Sequence, residues 1–138
     1  MRNCLNIEVT EMEAVIFAGL QATGKSTFYK DRFYKTHIRI NLDMLKTRNK
    51  ENIMLEACIK AKQPFVVDNT NPTQKERKKY IDMAKEAKFR VVGYYFHSSV
   101  NEAISRNNER AGKERVSLIG IRSTSARMQI PSMEEGFD

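Results

Sequence analysis

The chain is poor in the residues that staple or coordinate. Of its 138 residues two are cysteine, two are histidine and none is tryptophan. Cys4 and Cys58 give neither a metal-ligand spacing nor a disulfide framework, and Cys58, inside the apolar segment IMLEACI, reads as a small core residue. His37 and His97 are too few for the common zinc sites. With three prolines and six glycines there is no Pro/Gly/Ser linker and no repeat, so one domain over 1–138 is expected, with 1–12 as an N-terminal segment. No apolar run approaches the roughly 18 residues of a membrane span. The first residues, MRNCLNIEVTEMEA, carry acidic side chains where a signal peptide needs an apolar stretch. The expectation is a cytoplasmic protein with no membrane partner.

Charge is plentiful and one-sided. Twenty-four Lys and Arg against 17 Asp and Glu leave a net charge of +7. Such an excess suits polyanionic partners, nucleic acid or a nucleotide itself, or else a generally basic, well-solvated surface.

Apolar periodicity alternates along the chain. AVIFAG (14–19), HIRINL (37–42), PFVVDN (64–69) and FRVVGYYF (89–96) read as strands. Helices are expected from Lys25 to about Tyr34, from about 48 to 62 with Ile53, Met54, Ala57, Cys58 and Ala61 on one face, and from about 73 to 87 with Pro72 in the first turn. Ser99 and Glu102 match a capping box, opening a helix to about Glu109. A polar break at 110–117 precedes a last short helix to about Arg127. Strand–helix alternation at this spacing implies a three-layer α/β fold: a parallel sheet of four to five strands, flanked by helices and right-handed crossovers, with a small helical lid at 106–117. Ligands bind such sheets at the carboxyl ends of the strands. Gly19 onward, Asp43, Asp68 to Asn71 and His97 should therefore line one edge.

The first of those positions carries the clearest signal. GLQATGKST runs through Gly19, Leu20, Gln21, Ala22, Thr23, Gly24, Lys25, Ser26 and Thr27, and fits G-x-x-x-x-G-K-[ST] between a predicted strand and a predicted helix. Glycines 19 and 24 permit backbone angles closed to other residues, so successive amides can turn inward as an anion nest. Lys25 brings a mobile positive charge to the β and γ phosphates, Ser26 a hydroxyl for Mg²⁺, and the helix N-terminus its dipole. The pattern predicts a bound nucleoside triphosphate.

Two carboxylates fall at strand ends. Asp43, closing INLD, is read as a base toward an attacking hydroxyl; the plainer alternative is a helix cap or turn aspartate. Asp68, closing FVVD, has the shape of a second carboxylate near Mg²⁺, or it begins a turn with Asn69, Thr70 and Asn71. That four-residue polar run is long for a turn and suits an acceptor pocket, with Asn71 also a candidate helix cap. Later, Arg106, Arg110, Lys113 and Arg115 surround the polar break. Arg106 and Arg110, four apart, would share a helix face and aim at the phosphates, or else form a solvated face. Lys75, Arg77, Lys78 and Lys79 are read as a solvated face, His97 as structural, and the rings of YYF as core and edge.

Together, GLQATGKS, NLD, VVDNTNPTQKER, SRNNER and the terminal P-x-x-x-E-G-F-D (Pro131, then Glu135 to Asp138) resemble the P-loop kinases of the polynucleotide 5′-hydroxyl kinase type, from about 14 to 138. The resemblance implies transfer of the γ-phosphoryl of ATP, with Mg²⁺, to the 5′-OH of a nucleic-acid end. It implies Lys25 and Ser26 on phosphates and metal, Asp43 as general base, Asp68 to Asn71 near acceptor or metal, and Arg106 with Arg110 as lid arginines. One position departs. Where the family commonly has an arginine three residues after the base aspartate, this chain has Lys46, with Arg48 two further on. Lysine keeps the charge but not the two-pronged grip on phosphate. The neighbouring expectations are a small-molecule or protein-directed kinase on the same scaffold, and a nucleotide-binding switch or simple nucleic-acid binder without transferase activity.

Overall fold

The computed structural model describes residues 12–112 and 115–138. Four strands form one all-parallel sheet in the order β2-β3-β1-β4: β1 (Glu13–Gly19), β2 (Ile38–Ile40), β3 (Phe65–Val67) and β4 (Arg90–Phe96). The helices are α1 (Lys25–Arg32), α2 (Leu42–Leu45), α3 (Arg48–Ala61), α4 (Gln74–Glu86), α5 (Val100–Asn108) and α6 (Leu118–Arg127), with a 3-10 turn at Met133–Glu135. The strand–helix alternation and the parallel sheet agree with the sequence. None of the described helices is long and apolar enough to cross a membrane.

The central strand explains the layering. From Ala14 to Gly19 every residue of β1 is buried, as a strand covered on both faces must be. Alternate residues serve opposite layers. Ala14 and Ile16 join Ile40, Leu55, Phe65, Val67, Tyr80 and Ile81, beneath α3 and α4. Val15 and Phe17 join Phe33 and Val66, beneath α1. The second layer is aromatic: the ring of Phe17 lies 4.9 Å from that of Phe96 and 5.7 Å from that of Phe28. Fully burying one such side chain contributes about 1.5–3 kcal/mol. A third cluster of Leu20, Ala103 and Ile121 seats α5 and α6 against the root of the phosphate loop.

Two helix faces differ from expectation. On α3 the buried stripe is Glu51, Leu55 and Cys58, whereas Ile53 is 55% exposed and Ala57 and Ala61 face solvent. On α4 the basic cluster is not simply a solvated face, because Arg77 is completely buried on the stripe Arg77, Tyr80, Ile81, Ala84. Its guanidinium donates from Nε and Nη2 to the two oxygens of Glu135 at 2.7 and 3.1 Å, and from Nη1 and Nη2 to the carbonyls of Asn71 and Gln129 at 2.8 and 2.9 Å. The terminal E-G-F-D thus closes over the sheet: Glu135 meets Arg77, Phe137 packs where Gly93 leaves room, and the Asp138 amide bonds the Val91 carbonyl at 2.7 Å.

Candidate active site at the carboxyl edge of the sheet

The loop after β1 turns through Ala22 (φ 62°) and Gly24 (φ 92°). Only one of the two loop glycines is needed for its angles. Gly19 is needed for space: a Cβ there would lie 2.8 Å from Cβ of Phe96 on the neighbouring strand. The Thr23 hydroxyl closes the loop by donating to the Leu20 carbonyl at 2.7 Å. Lys25 reaches back inside it, donating to the carbonyls of Gly19 (3.1 Å) and Leu20 and to Thr23 Oγ1 at 3.3 Å.

The start of α1 is unlike the other helix starts. Asn41, Thr47, Thr73, Ser99 and Ser117 each cap their helix with a side-chain oxygen, whereas Gly24 offers none to α1. With no side chain of its own covering them, the first amides of α1 and its positive dipole end suit an anion.

Burial is the main cause that brings the Lys25 ammonium down to about pH 8. Asp68 and Asp43 act against that depression and Arg110 adds to it. Arg106 is exposed on the last turn of α5. The two arginines do not share a helix face, because the helix stops at Asn108 and Arg110 lies in the loop beyond. That loop is pinned where Asn107 exchanges hydrogen bonds with both backbone groups of Val116, at 2.6 and 2.9 Å. Arg115 bonds Asn108, and Lys113 falls outside the described residues.

Ser26 and Asp68 meet as expected, with Ser26 Oγ donating to Asp68 Oδ2 at 3.1 Å. A hydroxyl and a buried carboxylate are the hard oxygen donors that Mg²⁺ takes, alongside phosphate oxygens and water. No group of three or more Cys, His, Asp or Glu among the described residues competes as a metal centre. The same oxygens also hold a residue that sequence reasoning missed: Arg39 donates to Asp68 Oδ2 at 2.8 Å and to Ser26 Oγ at 2.9 Å. Its alternation with the core residue Ile40 was the available signal.

The acceptor side needs one correction. Asp43 does not close β2, which stops at Ile40; it stands exposed in the first turn of α2. Asn41 makes that turn, accepting from the Met44 amide at 2.9 Å and donating to the Asp68 carbonyl at 2.6 Å. Asn69 accepts from the Leu42 amide at 2.9 Å, tying the turn to the end of β3. Thr70 offers its carbonyl to the Gly19 amide at 3.0 Å. Asn71, at φ 43°, donates to the Phe17 carbonyl at 2.7 Å; it caps nothing, since Thr73 caps α4. Lys46 is exposed, with a positive φ of 76°, at the end of α2. His97 is exposed beside Tyr95 and takes no part.

Behind Asn69 lies a second missed group, the fully buried Glu51. It accepts from Asn69 (3.1 Å), Arg48 (3.0 Å), Lys79 (3.2 Å) and the Tyr80 hydroxyl (3.0 Å). Burial alone would raise its pKa; these donors outweigh that and hold it below the usual carboxylate value. Burial, then the Glu51 charge, pushes the Tyr80 hydroxyl up to about 12. The signal was a lone acid on the helical stripe of Leu55 and Cys58.

Known proteins resemble this chain in sequence and in fold. A family described as an AAA domain matches residues 46–131, downstream of the phosphate loop. The bifunctional polynucleotide phosphatase/kinase of Schizosaccharomyces pombe is 32% identical over 131 residues, covering 91% of this chain and 32% of that protein. The L-seryl-tRNA(Sec) kinase of Methanococcus maripaludis is 29% identical over 119 residues, 72% of this chain and 46% of the relative. Among solved structures, a chain of the Pnkp1/Rnl/Hen1 RNA repair complex superposes with a TM-score of 0.72 at 20% identity, covering 91% of this chain and 46% of that one. The chain thus spans about a third to a half of the length of these relatives.

Proposed function

We propose that this chain, which belongs to the AAA-domain family of P-loop kinases, transfers the γ-phosphoryl of ATP to the 5′-hydroxyl of a polynucleotide. The observation that carries the reading is what one sheet edge brings together: Lys25 inside the loop, Ser26 Oγ on Asp68 Oδ2 at 3.1 Å, and the turn of Asp43 tied to the end of β3 through Asn69, with Arg110 in the loop after α5 adding to the field on Lys25. Phosphoryl transfer needs such a set: a cation for the donor phosphates, a carboxylate for the attacking hydroxyl, and a second cation for charge that develops in transit.

In this reading the loop from Gly19 to Thr27, with Lys25 and the uncapped start of α1, binds the triphosphate. Ser26 and Asp68 would hold Mg²⁺, which when bound would neutralise charge on the transferred group. Asp43 accepts the proton of the acceptor hydroxyl. Its exposure leaves it accessible to a macromolecular end, and the Asn69 bond to Leu42 keeps its turn in register with the loop. Asp68 to Asn71 and Lys46 border the acceptor. Arg106 and Arg110 stabilise the moving phosphoryl from the lid segment 106–117. The net charge of +7 and the polynucleotide kinase among the relatives favour nucleic acid. The seryl-tRNA kinase relative favours a second reading, a hydroxyl of another kind on the same scaffold.

The test is transfer of labelled γ-phosphate to 5′-hydroxyl DNA and RNA oligonucleotides, beside Asp43→Asn. Expected is transfer that Asp43→Asn reduces about 10²–10⁴-fold, the range for a positioned general base, with ATP affinity intact. Absence of transfer by protein that binds ATP would remove the polynucleotide acceptor. Wild-type rates in Asp43→Asn would remove Asp43 as the base.

A further inference from the structure

We infer that Arg39 and Mg²⁺ are rival counter-ions for one pair of oxygens, so that Arg39 sets how strongly nucleotide binding depends on the metal. The inference rests on the nucleotide and metal assignments of the proposed kinase, and not on its acceptor.

Three observations converge. The first is the pair itself: Ser26 Oγ and Asp68 Oδ2 stand 3.1 Å apart. Two neighbouring oxygens of an octahedral Mg²⁺, each about 2.1 Å from the ion, stand about 3 Å apart. The two atoms thus have the spacing that one small cation asks for. The second observation is what bridges them. Arg39 donates from Nε to Asp68 Oδ2 at 2.8 Å and from Nη2 to Ser26 Oγ at 2.9 Å, so one planar fork spans both atoms. The Ser26 hydroxyl already donates once and accepts once, and Asp68 Oδ2 already accepts twice. A divalent ion on the same atoms would face the guanidinium as like charge on like, in a place that salt screens poorly.

The third observation is which partner is free to leave. The Asp68 side chain is 2% exposed, so its charge needs a counter-ion. The Arg39 side chain is 27% exposed and comes from the edge strand β2, on the face opposite the core residue Ile40. Arg39 can swing toward solvent; Asp68 cannot. One cation is exchanged for another on a carboxylate that stays in place. Arg39 therefore lets nucleotide phosphates approach Asp68 without metal, because the carboxylate is balanced. It also keeps free Mg²⁺ off Asp68 until nucleotide phosphates add ligands of their own.

Calorimetry of the full chain with ADP, in Mg²⁺ and in EDTA, tests the first effect. The ratio of the two affinities should be at least about tenfold larger in Arg39→Met than in wild type, since metal-free ADP then meets a bare carboxylate while Mg·ADP loses only a competitor. Arg39→Lys, which keeps the charge without the fork, should fall between. A purely structural Arg39 would move both affinities together and leave the ratio alone. Mn²⁺ standing for Mg²⁺, followed by electron paramagnetic resonance without nucleotide, tests the second effect. Where Arg39→Met takes up one Mn²⁺, wild type should take up none, and Arg39→Met combined with Asp68→Asn should again take up none. The wild-type titration and Arg39→Lys decide the matter even if Arg39→Met unfolds. One Mn²⁺ on wild type that Asp68→Asn removes, or an Mg²⁺ effect on ADP that is equal in all three proteins, overturns the rivalry and leaves the metal assignment standing. ADP affinity that ignores Mg²⁺ in every one of them removes Ser26 and Asp68 as holders of the metal, and the rivalry with them.

Discussion

The phosphate loop and the acceptor turn sit on the same edge of one sheet but are held by different means. The loop is a backbone device. Its shape comes from Ala22 and Gly24 in left-handed conformations, its inner cation is satisfied by loop carbonyls, and its helix start has no side-chain cap. The acceptor turn is held by side chains. Asn41 ties it to β3, Asn69 ties it from the other side, Glu51 holds Asn69, and Arg77 holds the carbonyl of Asn71. On the proposed reading the difference follows from what each half would bind. A triphosphate presents the same oxygens each time, so main-chain amides are sufficient, whereas acceptors differ and need replaceable side chains. On one scaffold the acceptor can change while the loop stays.

The sharpest way to break that contrast is to strike each half at its centre. Lys25→Met should lower transfer about 10²–10³-fold, the usual loss when one donor to transferring charge is removed. The fold should survive, because the substitution also removes a buried ammonium whose desolvation works against its charge. Asn69→Ala should leave ATP affinity alone and raise the acceptor KM, since it loosens the turn of Asp43 and takes one donor from Glu51. Steady-state kinetics with each substrate varied in turn, with thermal melts alongside, measure both. Equal damage to ATP affinity from the two variants would dissolve the division between the halves.

A second comparison lies within α4, between neighbours of opposite fate. Arg77 has no exposed surface, and the Glu135 side chain it meets is 7% exposed. Arg77→Met leaves that carboxylate unpaired and two carbonyls, of Asn71 and Gln129, without their donor. The expected cost is about 3–5 kcal/mol in urea unfolding. Lys78, next in sequence, pairs with Asp82 from a side chain 71% exposed, and Lys78→Ala should change stability by at most about 0.5 kcal/mol. Adding Glu135→Gln to Arg77→Met should cost far less than the sum, since the stranded charge goes with it. A mild Arg77→Met would mean the acceptor half does not depend on this mount.

How far each half was legible in the sequence follows from how it is built. The strands, the loop and the Ser26–Asp68 pairing rest on local patterns: an apolar run that stops at Gly19, a motif between strand and helix, an apolar strand that ends in aspartate. The acceptor side rests on partners far apart in the chain. Arg77 looked like one of four surface cations because its partner Glu135 is 58 residues away, although its i, i+3, i+4 spacing to Tyr80 and Ile81 had placed it on the buried stripe. Glu51 was passed over in the same way, as a charge on a stripe whose donors beyond Arg48 come from another helix and a loop. Asp43 was read one element too early because Asn41 ends the strand by capping a four-residue helix, and such a helix has no periodicity to detect. The Arg106–Arg110 face assumed a helix that in fact stops at Asn108.

The smallest expected effect sharpens the contrast with pH alone. Burial lowers the Lys25 pKa to about 8 in the folded chain, from an ordinary 10.5. The unfolded chain therefore holds the extra proton between those values, so this residue makes stability rise as pH climbs through 8 toward 10.5. Nucleotide affinity runs the other way. Phosphate favours the ammonium, so binding raises the Lys25 pKa and is linked to proton uptake once the free lysine begins to lose its proton. Calorimetric affinity for ADP should be flat below about pH 8 and weaken above it, by at most about tenfold per pH unit for a single group. In Lys25→Met the ADP profile should lose its fall above pH 8. A fall of equal size in the variant would assign it to another group and leave the loop lysine without its linkage to phosphate.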